Sequence, residues 1–163
     1  MEYLKLLQLL HDSEIVFALH EHPPLFTVEE AFEFNRAIEG GHSKNLFLKD
    51  KKNQFFLVSV LEHKRVDLKQ LSKTCGQGGL SFAKAEDLKA ILNLMPGSVT
   101  PYGLMHDVGC QVMFLLDQDL ISHPKVNFHP LRNDMTVSVD SLDFLKFCTI
   151  VQHTPSIINI PVL

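Results

Sequence analysis

The sequence predicts an α+β fold with a mixed, largely antiparallel sheet flanked by helices. Three observations carry this. Short runs rich in β-formers are interleaved with short helical stretches but follow no strict βαβ order, which disfavours an all-parallel sheet. Two strand-like runs, 45–49 and 54–61, are joined by a hairpin turn at Asp50-Lys51-Lys52-Asn53, too short for a crossover. The chain's 163 residues, 45% hydrophobic and 21% charged, have the composition of an ordinary globular protein with room for one sizeable core.

The elements follow in order. Residues 3–10 carry leucines at helical spacing and predict a first helix. Residues 15–20 alternate as a strand, and His22-Pro23-Pro24 then forces an extended connection. Thr27-x-x-Glu30 is a capping box that starts a helix to about Asn35. Residues 45–49 and 54–61 are strand-like, and Asp50-Lys51-Lys52-Asn53 turns the chain between them.

Asp67 caps a short helix to Lys73, Gly76, Gly78 and Gly79 mark a loop, and residues 80–83 form a short strand. A helix over 85–94 is expected to end at Pro96-Gly97, with a loop over 95–103. Residues 111–116, 125–128 and 135–139 read as strands, with a short turn at Leu120-Ile121, and Asp140 or Ser141 caps a last helix to about Thr149. The apolar tail, 151–163, is expected to pack on the body or on a second subunit. With no repeat or linker visible, the whole chain, 1–163, reads as a single domain.

Charge and cysteine content narrow the function. Net charge is −4, against a protein that coats nucleic acid. Residues 44–89, however, hold ten basic side chains and five acidic ones, making that stretch +5 on a body of −9. Such a face suits a partner offering a few phosphates. Cys75, Cys110 and Cys148 are odd in number and widely spaced, so they read as reduced and mostly buried. The N-terminus lacks the basic start and cleavage site of a signal peptide, and no apolar run could span a bilayer, so a cytoplasmic protein with no membrane partner is expected.

Three motifs stand out: Ser43-Lys44-Asn45-Leu46-Phe47-Leu48, Pro96-Gly97-Ser98-Val99-Thr100-Pro101 and Asn127-Phe128-His129-Pro130. Lys44 just before an apolar run offers an ammonium to a phosphate, although a strand-edge lysine would look the same. Gly97 lets backbone N–H groups approach a ligand closely, and Pro101 fixes the far end of that loop, although a helix-ending loop needs no more. Taken together and in this order, the motifs resemble the editing domain inserted in bacterial prolyl-tRNA synthetases and its freestanding (YbaK/ProRS-associated) relatives, most of all the branch that hydrolyses Ala-tRNA(Pro).

The resemblance implies a barrel-like sheet and a trans-editing aminoacyl-tRNA deacylase acting by positioned water, helped by the ribose hydroxyl of the tRNA. No cofactor and no metal are expected. The resemblance assigns Lys44, Gly97 and His129 to catalysis, Lys44 on the CCA backbone and His129 as a wall of an alanine-sized pocket. Asn45, Ser98, Val99, Thr100 and Pro101 would bind substrate; Lys49, Lys64 and Arg65 would contact tRNA. The implied partners are the tRNA(Pro) acceptor end and prolyl-tRNA synthetase, with the protein a monomer or homodimer. Editing makes sense because a proline pocket gains only about 1–3 kcal/mol over a smaller side chain.

Four other readings remain open at this point: a Cys-tRNA(Pro) or other small-amino-acid deacylase, a non-catalytic tRNA- or synthetase-binding module, a metal hydrolase built on His20, His22, His106 or His123, and a thiol hydrolase built on Cys75 or Cys110. No HExxH or CxxC pattern supports a metal.

Overall fold

A computed structural model describes residues 1–163, with every side chain but that of Val28. It contains α1 (Glu2–Asp12), β1 (Phe17–Glu21), α2 (Val28–Asn35), β2 (Gly41–Lys49), β3 (Phe55–Leu61), α3 (Leu68–Thr74), β4 (Ser81–Phe82) and α4 (Ala85–Leu92). A 3-10 helix (Pro101–His106) follows, then β5 (Val112–Asp117), α5 (Gln118–Ile121), β6 (Lys125–Phe128), β7 (Met135–Asp140), α6 (Ser141–Ile150) and β8 (Ser156–Ile158). The fold is α+β.

The strands form one eight-stranded sheet in the order β1-β7-β6-β2-β3-β5-β8, with β4 also paired to β2. Pairings β1–β7, β2–β3, β2–β4 and β6–β7 are antiparallel; β2–β6, β3–β5 and β5–β8 are parallel. The path is open: among the described residues no pairing joins β1 to β8.

Strand β2 is the hinge of this topology. One edge pairs with β3 from Ser43 to Lys49. The other edge pairs with β6 at Gly41 and His42, and with β4 at Leu48 and Lys49. Over residues 43–46 that second edge has no strand beside it among the described residues. Alternation then divides the β2–β3 side chains between two cores. Phe47 and Leu57 join the larger cluster with Leu6, Leu92, Tyr102, Phe128 and Phe144. Leu48, Phe56, Val58 and Val60 join a smaller one with Leu71, Leu115 and Ile160.

Local chemistry explains the element ends. The Thr27 hydroxyl accepts the Glu30 N–H at 3.1 Å, as the capping box predicts, and the Glu30 carboxylate returns to the Phe26 N–H at 3.0 Å, one residue ahead of the cap. Asp67 caps α3 through the Gln70 N–H at 3.1 Å. The Asp50 carboxylate accepts the N–H groups of Lys52, Gln54 and Gln77 at 2.8–3.0 Å, fixing the β2–β3 turn and drawing in the glycine loop.

Some sequence expectations need correcting. Helix α4 ends at Asn93, left-handed at φ 55°, three residues before Pro96. The expected loop over 95–103 runs into the 3-10 helix, with Pro101 in its first turn and the Thr100 hydroxyl capping it at Tyr102 N–H, 3.3 Å. Strand β2 starts four residues before the expected 45. The tail packs on the body: β8 pairs with β5, Val162 bridges Val66, and the Leu163 N–H donates to the Arg65 carbonyl at 2.9 Å. Of the cysteines, Cys148 is buried, Cys75 half-buried and Cys110 exposed.

Candidate active site

The cleft beside the unpaired stretch of β2 is the candidate site. Its walls are Leu25, Phe26, Thr27, Ala31 and Asn35 from the α2 region, His42, Ser43 and Lys44 from β2, Glu62 after β3, Asn127, Phe128 and His129 from β6 onward, and Thr136 from β7. The cavity volume is about 160 Å³. A water molecule's share of liquid volume is about 30 Å³, so the cleft has room for a small side chain and its ester.

Lys44 and Val60 are cross-strand partners on β2 and β3. The Lys44 ammonium donates to the Lys64 backbone carbonyl. Burial first, and the Arg65 guanidinium second, pull it below the ordinary lysine range. Asn45 lies on the other face of the strand by register. Its carbonyl oxygen accepts the Ser59 hydroxyl at 2.5 Å, and its amide donates to Ser43 Oγ at 3.2 Å. Ser43 Oγ in turn donates to the Asn127 carbonyl at 3.0 Å. Asn45 therefore braces the cleft from behind.

His129 follows β6 directly. Its Nδ1 lies 2.8 Å from the Met135 carbonyl, which requires Nδ1–H to donate and leaves Nε2 as the acceptor of a neutral ring. Burial lowers its pKa, outweighing the Met135 carbonyl, and the nearby His22 ring adds to the lowering. A neutral imidazole thus lines the cavity, its Nε2 without a partner among the described residues. His22 packs 6.1 Å away, ring to ring, and bridges the Pro23 carbonyl and Thr136 Oγ1, each at 2.9 Å.

Asn127 is the floor. It is 2% exposed, donates to the carbonyls of Glu39 and Gly41 at 3.0 and 3.2 Å, and accepts from the Ser138 hydroxyl. Gly40 permits this closeness: at φ 104°, a Cβ there would meet the Lys125 carbonyl oxygen at 2.5 Å and the Asn127 amide at 3.0 Å.

The structure therefore brings Lys44 and His129 into one cleft. Gly97 and the rest of its loop do not line it. The Phe26 ring, a wall of the cleft, is what the loop meets on that side, 4.0 Å from where a Gly97 Cβ would sit. Thr100 and Pro101 are buried beneath the loop. The Ser98 N–H is taken by the Met95 carbonyl at 3.0 Å, whereas the N–H groups of Gly97, Val99 and Thr100 have no partner among the described residues.

The three residues assigned to tRNA contact differ in state. Lys49 closes β2 and is half-buried; Arg65 is exposed near Lys44. Lys64 is held by the carboxylates of Asp119 at 2.6 Å and buried Asp117 at 2.8 Å. Burial works against its charge, but the two carboxylates outweigh that and keep its pKa raised.

Among the described residues no three His, Cys, Asp or Glu side chains are grouped to hold a metal ion. His106 is engaged at both ring nitrogens, by the Leu92 carbonyl and Glu2. Among the described residues no cysteine lines the cleft. Burial pushes the Cys148 thiol far up and the Cys75 thiol up as well, with Asp50 adding to the latter. Among the described residues no helix is long and apolar enough to cross a membrane.

Sequence reasoning missed Glu62, His42 and Phe26 as wall residues. It quoted Asn127 without giving it a role. Asn127 had a usable signal, a lone amide between two apolar residues in a short strand.

Fold and cleft define a class: an α+β domain with a small bipolar pocket against its central strand. The chain belongs to the aminoacyl-tRNA editing domain family, whose model matches residues 22–147. It is 41% identical over 144 residues to the prolyl-tRNA synthetase associated domain-containing protein 1 of Bos taurus, covering 85% of this chain and 84% of that one. It is 34% identical over 138 residues to the prolyl-tRNA editing protein ProX of Acetoanaerobium sticklandii, covering 84% of each. A crystal structure described as "a putative trans-editing enzyme for prolyl tRNA synthetase" superposes with a TM-score of 0.73 at 20% identity, over 99% of this chain and 98% of that one.

Proposed function

We propose that the chain is a single-domain, trans-acting deacylase that hydrolyses alanine from mischarged tRNA(Pro). The carrying observation is the meeting of Lys44 and neutral His129 in one cavity of about 160 Å³. Lys44 exchanges the Lys64 carbonyl for a phosphate of the CCA end. That exchange costs little, because a charge-assisted bond to phosphate replaces one to a neutral carbonyl. His129 and Phe128 bound the side-chain pocket, so a methyl group fits and a proline ring overlaps the wall. The relative named as a prolyl-tRNA editing protein supports this choice of tRNA.

No side chain here need be a nucleophile. The substrate is an activated ester, and a held water can attack it if the oxyanion is stabilised. The N–H groups of Gly97 and Val99, without a partner among the described residues, are the donors for that role, reached when the exposed Phe26 ring yields to substrate. Exposed Arg65, with Lys49, supplies the contact to the acceptor stem, and Lys64 acts through its carbonyl and its ion pairs. Prolyl-tRNA synthetase is the partner suggested by the relatives' names.

The test is a deacylation panel with Ala-, Cys-, Ser- and Pro-tRNA(Pro). Ala-tRNA(Pro) should be hydrolysed fastest and Pro-tRNA(Pro) spared. Lys44→Met should lower kcat/KM for Ala-tRNA(Pro) at least about tenfold, the low end for losing a hydrogen bond to a charged group, with an unchanged circular dichroism spectrum. Wild-type activity on Cys-tRNA(Pro) alone would move the assignment to the cysteine-removing reading. Tight tRNA(Pro) binding with every ester left intact would move it to the binding-module reading.

A further inference from the structure

The geometry points to Glu62 as the group that recognises the free α-ammonium of the aminoacyl ester, making the site selective for aminoacyl esters over N-acylated, peptidyl-like ones. This rests on the deacylase reading and adds a residue and a substrate restriction to it.

Glu62 is the first residue beyond β3, and its N–H donates to the His42 carbonyl at 2.9 Å, extending the β2–β3 ladder by one step. Glu62 therefore stands opposite His42 and diagonal to Lys44, on the same face of the sheet. Diagonal neighbours across a ladder are about 7–8 Å apart. A cation and an anion thus line one cavity from the same face of the sheet. They do not neutralise each other: among the described residues Glu62 has no cation within 4.0 Å, and Lys44 is bonded to the Lys64 carbonyl.

One carboxylate oxygen of Glu62 accepts the Asn35 amide at 2.7 Å, and the other has no partner among the described residues. Glu62 is the acidic residue of the cleft wall. A half-buried carboxylate facing a cavity, fixed from one side and open on the other, favours a cationic donor. An aminoacyl ester carries such a donor two bonds from the reacting carbonyl. An N-acylated ester has lost it, and it would leave the carboxylate desolvated against a neutral amide. The ammonium on Glu62 and the phosphate side on Lys44 would place the ester between them, against His129 and Asn127.

The experiment compares Ala-tRNA(Pro) with N-acetyl-Ala-tRNA(Pro), using wild type, Glu62→Gln and Glu62→Asp. In Glu62→Gln the amide oxygen still accepts from Asn35, so the tie to α2 survives and the charge alone is lost. Wild type should cleave the free-amine ester about ten- to a hundredfold faster, the range for a hydrogen bond to a charged group. Glu62→Gln should bring that ratio close to one by slowing the free-amine ester, and Glu62→Asp should restore part of it. A purely structural Glu62 would slow both esters alike, and that result overturns the assignment. So does a wild type that cleaves both esters equally. Wild type leaving both esters intact overturns the deacylase reading itself, and the Glu62 assignment falls with it.

Discussion

Replacing Asn127 with alanine should destabilise the protein by about 3 kcal/mol. The side chain is 2% exposed and serves three groups: the Glu39 and Gly41 carbonyls and the Ser138 hydroxyl. Glu39 is exposed, so water can replace its lost partner at little cost. Gly41 and Ser138 are buried, and leaving each without a partner costs about 1–3 kcal/mol. The Ser138 hydroxyl can rotate, which trims its share, and the sum settles near 3 kcal/mol. Against a typical total stability of about 5–15 kcal/mol this is a large fraction. The chain has no tryptophan and two tyrosines, so urea unfolding is best followed by far-ultraviolet circular dichroism. A double-mutant cycle with Ser138→Ala should show coupling above about 0.5 kcal/mol, because the two residues share a bond. A loss under 1 kcal/mol, or strict additivity with Ser138→Ala, would refute the view of Asn127 as the floor of the cleft.

Other outcomes follow from single residues. Tyr102 is fully buried and its hydroxyl has no partner among the described residues, so Tyr102→Phe should stabilise by about 1 kcal/mol and raise Tm by about 2–4 °C; an unchanged or lower Tm would count against this. His129 is held neutral below its ordinary pKa, so between about pH 6.5 and its lower folded value the unfolded chain binds more protons. The stability His129 contributes is then full above about pH 6.5 and is lost as pH falls, by up to about 1.4 kcal/mol per pH unit. His129→Gln should flatten that part of the profile relative to wild type; parallel curves from pH 7 to 5 would contradict it.

The legible parts of this fold were those encoded locally. Thr27 and Glu30 are three residues apart, and Asp67 sits at the head of its own helix, so sequence spacing alone located both caps. Alternation and the Asp50–Asn53 turn gave the β2–β3 hairpin. Long-range pairing hid the rest. Gly41-His42-Ser43 has little β preference, and it is a strand because β6 and β3 flank it. The end of α4 was assigned to Pro96 because proline is the louder signal, whereas Asn93 in the left-handed region stops the helix first. In the site, Lys44 and His129 came from motif order. Glu62 was invisible because its place in the wall depends on standing across from His42, which spacing along the chain does not reveal. That Gly97 meets the Phe26 ring and does not line the cavity was equally hidden, since Phe26 is 71 residues away in the chain.

Strand β2 shares its second edge between two short partners and leaves residues 43–46 bare between them. The pocket is thus a gap in a hydrogen-bonded ladder more than a hollow among loops. Each rim is a strand held by a backbone ladder on its outer side, β2 by β3 and β6 by β7, and the two rims join where His42 pairs with Asn127, so the gap has a fixed closed end. Variation in the surrounding turns could alter which guests enter while the frame that receives them keeps its dimensions.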